Sequence, residues 1–340
     1  MLSTCQCTLR LAAAAELPAI RARWQSLWGD GLSLAQLAAE DAHLASTAFA
    51  LSGSRRHYVL EAPGEADFVA SCEVLLTPVA AGAAASAAPP HAWLVAFVFT
   101  PAELRGRGYA SALITALRRA AAPAPLALFS DIGAELYNRL GFRATAPGNK
   151  AYDLVLPAAA AAAGAAASAA IADIPLRFDL SRLQLPAPAL PPAAAALLLS
   201  PARLAWLCEA EAWRGAQGLL PGPLAARGAV LRGEGAPLAD TNMGVCVWAA
   251  DAARGDLVVL LLRAPSAAGL RALLARAQAV AAGARLQRVR VWDSADGAAE
   301  RAVGLLRAWR EARAGKLPMV APAPGEPAGE WREPERGTWY

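Results

Sequence analysis

The sequence predicts an α/β (α+β) fold in which helices flank a mixed sheet, followed by a second, smaller α/β domain. Three observations lead to this prediction. The chain has 340 residues, more than one hydrophobic core usually serves. Apolar residues recur with the period of strands and then of helices in alternation. Two stretches rich in alanine and proline interrupt the pattern, which divides the chain into a domain at 1–157, a linker region at 158–201 and a C-terminal domain at 202–340.

The first domain is predicted to alternate strands and helices. Its elements are a strand at 7–11, helices at 17–28 and 32–51, a hairpin of strands at 58–60 and 66–76, a strand at 93–100, a helix at 111–120, a strand at 126–129, a helix at 132–140 and a closing strand at 151–156. The run at 93–100 is apolar almost without interruption, which is typical of a central strand buried on both faces.

The C-terminal domain is predicted to form a second α/β layer. Its pattern indicates a hairpin at 244–250 and 257–262, a helix at 267–280, a strand at 286–292 and a helix at 298–312. The tail carries Trp331 and Trp339, whose apolar surface is costly to leave in water. We therefore expect the tail to pack back onto the body of the protein.

Charge and composition exclude several classes of protein. The formal charge of +4 comes from 32 basic and 28 acidic residues spread along the chain, so no nucleic-acid partner is expected. No apolar run reaches the roughly 20 residues that span a bilayer, and the N-terminus has no signal-peptide order. We therefore expect a cytoplasmic protein without a membrane partner. The five cysteines and three histidines lack metal-ligand spacing, so no metal is expected and surface or packing roles are favoured for His43, His57 and His91.

A segment rich in glycine and arginine connects the apolar strand at 93–100 to the helix at 111–120. It consists of Arg105, Gly106, Arg107, Gly108, Tyr109 and Ala110. Successive backbone N–H groups at such a connection, together with the positive end of the helix dipole, bind phosphate groups. The glycines let the backbone approach a pyrophosphate closely, and the arginines add positive charge. The segment fits neither a dinucleotide fingerprint nor a P-loop. An ordinary tight turn is the alternative.

This segment resembles the coenzyme A signature of the GNAT acetyltransferase superfamily: an arginine or glutamine, two residues, a glycine, one residue, then a glycine or alanine. The resemblance implies acetyl-coenzyme A (acetyl-CoA) as the cosubstrate and a GNAT fold for residues 1–157. It also implies that the strand before the segment diverges from its neighbour. The N–H groups of Phe99 and Thr100 would then form an oxyanion hole for the thioester carbonyl.

A second block, from Phe129 to Phe142, resembles the family's strand, short helix and closing Tyr-x-x-x-Gly-Phe. In the family this tyrosine, here Tyr137, protonates the departing thiolate, and a phenol with a reference pKa of about 10 suits that task. A tyrosine that only packs is the alternative. Cys72 falls on a core face of its predicted strand, so direct transfer through a tetrahedral intermediate is preferred over an acyl-enzyme.

An amine acceptor must lose a proton, and two acidic residues are candidates for assisting it. Glu73 lies in the predicted strand at 66–76, where an apolar setting would raise its pKa and make it a base, directly or through water. A charge on a solvated strand face is the alternative. Asp131 follows the strand at 126–129 and could hold the ammonium group of the substrate. Capping of the helix predicted from Ile132 is its alternative role.

Further stretches are similar to the lysine N-epsilon-acetyltransferase family of fungal lysine catabolism, which has a C-terminal domain of its own. They are Trp24 and Trp28, residues 70–73, 98–110 and 129–133, and, more loosely, residues 243–248, 289–293 and 330–339. Leu104 departs from that family, which has an aromatic residue before the signature arginine.

The narrower resemblance implies an enzyme that moves acetyl from acetyl-CoA to the side-chain amine of lysine as a small-molecule substrate. It also implies that the C-terminal domain and the tail from Trp331 to Trp339 cover the acceptor groove. Glu73 and Asp131 would then be available to the lysine ammonium group. The alternatives are an acetyltransferase for another small amine or for a protein lysine, and a protein that binds acetyl-CoA without catalysis.

Overall fold

The computed structural model describes most of the chain and divides it into two units. The described residues are 7–81, 91–145, 152–158, 171–185, 194–232, 237, 244–251, 253–264, 266–292, 309–312, 317–322 and 330–331. The first unit comprises Met1–Thr145, Leu190–Leu197 and Gly315–Arg332, and the second comprises Ala146–Ala189, Leu198–Ala314 and Glu333–Tyr340. Both units are mixed α/β, which confirms the predicted fold class.

The described elements alternate strands and helices. The strands are β1 (Thr8–Leu11), β2 (Arg55–Glu61), β3 (Ala70–Ala81), β4 (His91–Phe99), β5 (Leu126–Ser130), β6 (Arg143–Ala144), β7 (Tyr152–Pro157), β8 (Ile171–Ile174), β9 (Ala194–Leu197), β10 (Gly228–Leu231), β11 (Val245–Asp251), β12 (Asp256–Arg263), β13 (Arg288–Trp292), β14 (Trp309–Ala312), β15 (Leu317–Ala321) and β16 (Glu330–Trp331). The helices are α1 (Leu17–Trp28), α2 (Leu34–Ala45), α3 (Tyr109–Ala121), α4 (Glu135–Arg139), α5 (Pro201–Ala216) and α6 (Ala267–Gly283).

Local sequence accounts for where several helices begin. Ser33 caps α2, because its side chain accepts a hydrogen bond from Gln36 N at 3.3 Å. Ser266 caps α6 in the same way, accepting from Gly269 N at 3.1 Å. α1 carries a proline in its first turn, where a missing N–H costs nothing. α3 has no side-chain cap, and its N-cap is Gly108 in the left-handed conformation.

The sheet of the first unit runs in the order β1-β2-β3-β4-β5-β15-β6, with β9 beside the far end of β3 and β16 beside β9. β4 and β5 are parallel and are joined through α3, whereas β3 and β15 run antiparallel to them. β15 pairs with β5 on one side, Leu317 opposite Ser130, and with β6 on the other, Met319 opposite Ala144. All five β15 residues are buried. A strand from near the end of the chain is thus a central strand of the first sheet.

The sheet of the second unit repeats this order with different strands. It runs β8-β10-β11-β12-β13-β7-β14, and β12 and β13 form its parallel pair, joined through α6. Its core is centred on Trp248, which is fully buried and whose indole N–H donates to Ala226 O at 2.8 Å. In each sheet the fifth strand is followed by a strand from the other half of the sequence: β15 in the first sheet and β7 in the second. The two units therefore exchange equivalent strands.

This exchange corrects the predicted division of the chain. The strand predicted at 151–156 is present as β7, but it pairs with β13 and β14 in the second sheet, so the prediction that it closes the first domain is wrong. The unit boundary falls after Thr145. The region predicted as a linker, 158–201, contains β8 and β9, which bond to β10 and β3 through their backbones.

Two other predicted elements differ from the structure. Of the helix predicted at 298–312, residues 298–308 lie outside the described residues and 309–312 form β14, whose pairing with β7 overrides the helical pattern. The helix predicted from Ile132 begins only at Glu135. In the tail, Trp331 belongs to β16, which pairs with β9 of the first sheet, and Trp339 lies outside the described residues.

Candidate functional site

The two parallel strands at the centre of the first sheet separate part-way along their length. β4 and β5 pair only from Trp93 opposite Leu126 to Val95 opposite Leu128. Beyond these residues β4 continues to Phe99 and β5 to Ser130 without pairing to each other. Backbone groups on the facing edges are thereby left available in a cleft. The divergence implied by the coenzyme A signature is present at the position expected for it.

A β-bulge shapes the β4 side of this cleft. Ser71 pairs with Phe99 and Glu73 with Ala96, so two residues of β4 oppose one residue of β3. One of the two, Phe97, has a φ of +51°, a conformation that is uncommon and strained for a residue other than glycine. Bulges redirect the strand and its side chains next to functional sites.

The glycine- and arginine-rich segment lies directly after β4 and leads into α3. Gly106 and Gly108 have φ values of +78° and +86°, and a β-carbon added to either would meet nothing within 4 Å. Within the part of the chain that the structure describes, no group accepts from the N–H groups of Gly106, Arg107 or Gly108. Open space beside free N–H groups at a helix N-terminus suits a pyrophosphate.

Side chains around this segment also leave room for a polar ligand. Thr100 Oγ1 is buried and lacks a hydrogen-bond partner among the described residues. Arg105 Nε donates to Thr100 O at 3.1 Å, which holds the start of the segment against the end of β4. Arg107 contacts Glu65 at 3.3 Å in a partly exposed ion pair. Because such pairs are weak, a phosphate can replace Glu65 as the partner of Arg107.

Tyr137 lies on α4 in a buried position. Its ring packs edge-on against Phe142 at a centroid distance of 5.7 Å, and its side chain is only 6% exposed. Burial, and then the negative charge of Asp131, raises the pKa of Tyr137 to about 12. The phenol therefore stays protonated at every physiological pH, as a proton donor requires. The same elevation makes it a weaker acid than an exposed tyrosine.

Asp131 is exposed and follows β5 directly. Its negative charge contributes to the raised pKa of Tyr137. The alternative role as a helix cap is wrong, because α4 begins at Glu135 and its N-cap is Ala134. Cys72 is fully buried, and burial raises the pKa of its thiol, in keeping with the predicted core position.

Glu73 occupies a buried network of charges on the face of β3 opposite to that of Cys72. Arg55 Nε donates to Glu73 Oε2 at 2.9 Å, and His57 Nε2 lies 2.9 Å from the same oxygen. Arg55 also pairs with Asp41 at 2.7 Å, and Arg21 forms a further ion pair with Asp41. Glu73 itself has no exposed surface, and its Oε1 has no hydrogen-bond partner among the described residues.

The environment of Glu73 differs from both sequence-based interpretations. Burial alone would raise its pKa, but Arg55, with His57 and Arg21, outweighs burial and holds the pKa well below its usual range. The expected raised pKa is therefore wrong, and so is the solvated strand face. A carboxylate that binds protons so weakly is a poor general base. The role of Glu73 as the base therefore stays a prediction, and its ion pairs argue against that role.

Sequence reasoning missed the residues that surround Glu73. His57 was expected on the surface or in general packing, but its imidazole lies between Glu73 and Arg21, 3.2 Å from Arg21 Nη2. The pairing of His57 with Glu73 across the predicted hairpin is the signal that could have placed them side by side. Arg21 and Asp41 lie on helices, and nothing local in the sequence links them to this strand.

An aromatic cluster lies on the same face beside the bulge. Trp24 stacks on Phe97 at 4.9 Å, and Trp28 contacts the edge of Phe97 at 5.4 Å. Trp24 also donates from its indole to Ser71 Oγ at 3.2 Å. Trp28 and Phe97 remain partly exposed, so this cluster forms an apolar wall next to the cleft. It packs on Ile20 and Phe68 of the core beneath.

The second unit repeats the separated strands but not the phosphate site. β12 and β13 pair only from Asp256 opposite Arg288 to Val258 opposite Arg290. The connection from Arg263 to Ala267 is three residues long and contains no glycine, and Ser266 caps the helix that follows. The features that suit a pyrophosphate therefore belong to the first unit.

The described residues hold no group of three or more His, Cys, Asp or Glu side chains arranged for a metal ion. Across the same residues, no helix combines the length and apolar character needed to cross a bilayer.

Comparison with solved structures relates the whole architecture to one group of folds. A GCN5-related N-acetyltransferase from Kribbella flavida superposes with a TM-score of 0.57 at 19% identity, over 93% of this chain and 70% of that one. A second, from Anabaena variabilis, gives 0.54 at 13% identity, over 93% and 72%. A GCN5-related glucosamine N-acetyltransferase region of a fungal β-N-acetylglucosaminidase gives 0.51 at 10% identity, over 93% and 38%. No family model and no curated protein matches the sequence. The chain therefore has the fold of the GCN5-related N-acetyltransferases.

Proposed function

We propose that the protein is an acetyl-CoA-dependent N-acetyltransferase and that its acceptor is the side-chain amine of lysine. The observation that carries the first part is the cleft between β4 and β5, which opens directly beside the segment Arg105–Ala110. A phosphate site at one end of a cleft with free backbone edges suits a long molecule that has a pyrophosphate at one end and a thioester at the other.

In this proposal the first unit binds acetyl-CoA through its backbone. Gly106, Arg107 and Gly108 would donate to the pyrophosphate, and the edges of β4 and β5 would bind the pantetheine arm. The unpartnered Thr100 Oγ1 is placed to bind one of the polar groups of that arm. Phe99 ends β4 and Thr100 follows it directly, and their N–H groups would stabilise charge on the thioester oxygen.

The chemistry is a direct transfer. The amine attacks the thioester carbon, and collapse of the tetrahedral intermediate breaks the carbon–sulfur bond. The cationic nitrogen of the intermediate releases its proton to solvent, and Tyr137 donates its own proton to the departing thiolate, whose reference pKa is near 8.5. The tyrosinate then regains a proton from solvent. Because Glu73 is buried and binds protons weakly, we propose that the acceptor ammonium loses its proton to solvent. Asp131 would act through its exposed negative charge, which favours a cationic acceptor. The charge of Glu73 is already balanced by Arg55, so Glu73 would contribute through its unpartnered Oε1.

Lysine as the acceptor rests on the resemblance to the fungal lysine N-epsilon-acetyltransferases and on these two acids. The ionised Glu73 keeps one oxygen without a partner, and the wall of Trp24, Trp28 and Phe97 suits the aliphatic part of a lysine side chain. The predicted covering of the groove by the C-terminal domain belongs to this proposal as well, as does a cytoplasmic location.

We expect purified protein to release CoA from acetyl-CoA when free lysine is added, and more slowly with ornithine, polyamines, glucosamine or lysine-containing peptides. Since no internal base is proposed, kcat/KM for lysine should rise about tenfold per pH unit between pH 7 and 9, following the fraction of free amine below its pKa near 10.4. Thiol release, measured for each acceptor and at each pH, tests both the preference for lysine and the pH dependence. Transfer to peptides but not to free lysine would contradict the acceptor, and stabilisation by acetyl-CoA without thiol release on any acceptor would contradict catalysis.

The variant Tyr137→Phe should lower kcat by about 100-fold, the low end for a general acid, because the raised pKa already weakens the donor. The dissociation constant for acetyl-CoA should change little, since the ring and its packing on Phe142 remain. Steady-state kinetics and calorimetry measure the two quantities. Tyr58→Phe is the matched control: Tyr58 is also buried, but it packs on Trp93 away from the end of the cleft. Equal kcat in the two variants would remove Tyr137 from the mechanism.

A further inference from the structure

A large open groove lies in the first unit, away from the phosphate site at the start of α3. It has a volume of about 710 Å³ and is formed by the last turns of α3 and the end of α4 with the turn that follows it. The residues that matter here are Thr115, Arg118, Arg119, Arg139, Leu140 and Gly141. Its volume is in the range of small-molecule sites. Three of its lining residues are arginines and none is acidic.

Arg118 is held in position at one wall of this groove. Its Nη1 donates to Leu140 O at 2.8 Å. Gly141 lies so close that a β-carbon there would be 2.6 Å from the same nitrogen, and its φ is +84°. The positive φ favours glycine at this position, and its missing side chain leaves room for the guanidinium. The other N–H donors of the guanidinium remain available in a fixed orientation, which suits recognition of a phosphate group.

The other two arginines contribute charge without strong internal partners. Arg119 is exposed and has no ion pair or hydrogen bond among the described residues. Arg139 pairs with Glu135 at 3.6 Å, but both side chains are more than two-thirds exposed, so a ligand can replace this contact at little cost. Arginines in the last turn of α3 also complement the helix dipole. That role does not explain Arg139, which comes from another helix and meets them in the same groove.

We propose that this arginine groove binds the phosphate monoester of a nucleotide through Arg118, Arg119 and Arg139. It is separate from the pyrophosphate site, because Arg118 follows Gly108 by ten residues of α3, about 15 Å along the axis. Two ligands carry a phosphate monoester of this kind. One is the 3′-phosphate of CoA itself, which rests on the proposed function, and the other is a free nucleotide bound beside CoA.

Calorimetric titration of the full chain at fixed ionic strength distinguishes these sources. If CoA supplies the phosphate, dephospho-CoA should bind about tenfold more weakly than CoA. That factor corresponds to the binding free energy lost with the hydrogen bonds between the arginines and the phosphate. The double variant Arg119→Gln, Arg139→Gln should lose this discrimination. If a free nucleotide supplies it, adenosine 3′,5′-bisphosphate should bind the wild type in the presence of saturating CoA and fail to bind the double variant. Arg118 is left intact because it also holds the turn at Leu140.

Arg177→Gln is the matched control, an exposed arginine of the second unit, and it should bind every ligand like the wild type. The proposal is overturned if the double variant, folded by its thermal transition, binds CoA, dephospho-CoA and the bisphosphate as the wild type does. Failure of the proposed function gives a different result: CoA binds, with or without this discrimination, but no acceptor is acetylated.

Discussion

Ending the chain at residue 314 is expected to unfold the first unit, although every residue of the phosphate site precedes Thr145. β15 fills the place between β5 and β6, and all five of its residues are buried. Its loss would remove apolar burial on the order of 10 kcal/mol, comparable with the whole stability of a domain. It would also leave unpaired the edge of β5, whose five residues are buried in the intact sheet.

A fragment of residues 1–157, the domain predicted from the sequence, tests this directly. We expect it to lack a cooperative unfolding transition and to bind no acetyl-CoA. A second fragment should recover both properties: 1–145 joined to 315–332 by a short glycine-serine linker. A short linker is sufficient because β6 and β15 lie side by side, with Thr145 N donating to Pro318 O at 3.0 Å. Cooperative folding of 1–157 alone would show that β15 is dispensable.

The exchanged strands show that local sequence patterns do not predict which sheet a strand joins. β7 and β15 are both short apolar strands, and nothing in either run states which sheet it will join. That choice depends on pairing with β13 or β5, far away in the chain. Most of the helices and the β2–β3 hairpin were predictable because their apolar periods and turn residues are local. The same contrast explains the predicted helix that ends in β14, since pairing with β7 overrides its local pattern.

The same contrast between local and long-range determinants applies to the residues of the candidate site. The phosphate segment and Tyr137 could be located from the sequence because their function depends on a few neighbouring residues: two glycines at positive φ before α3, and a tyrosine one turn before Gly141. The charge state of Glu73 could not, because its pKa is set by Arg55, His57 and Arg21, which come from other elements. Residue type and strand position alone suggested an apolar setting and the opposite sign of the shift.

The variant Glu73→Gln is expected to destabilise the first unit by about 3–5 kcal/mol at neutral pH, the usual effect of removing one partner from a buried ion pair. Two arginines and two carboxylates balance in this network. Without the charge of Glu73, Arg55 loses one of its ion pairs, and the buried guanidinium groups of Arg55 and Arg21 share the single carboxylate of Asp41. Denaturant unfolding followed by tryptophan fluorescence measures the loss. Glu61→Gln is the matched control, because Glu61 pairs with Arg10 at the surface and should contribute at most about 1 kcal/mol.

The pH dependence of this difference identifies its cause. The pKa of Glu73 is lowered in the folded state, so its stabilising effect is complete above the unfolded value of about 4.3 and is lost as the pH falls below it. The gap between wild type and Glu73→Gln should therefore be constant from about pH 6 to 8 and shrink below about pH 4. A gap that instead widened on acidification, or a variant as stable as Glu61→Gln, would mean that Glu73 is not held ionised by Arg55. Since the network lies beneath Trp24 and the bulge at Phe97, the same variant should also weaken the acceptor side of the cleft while leaving the phosphate site at α3 intact.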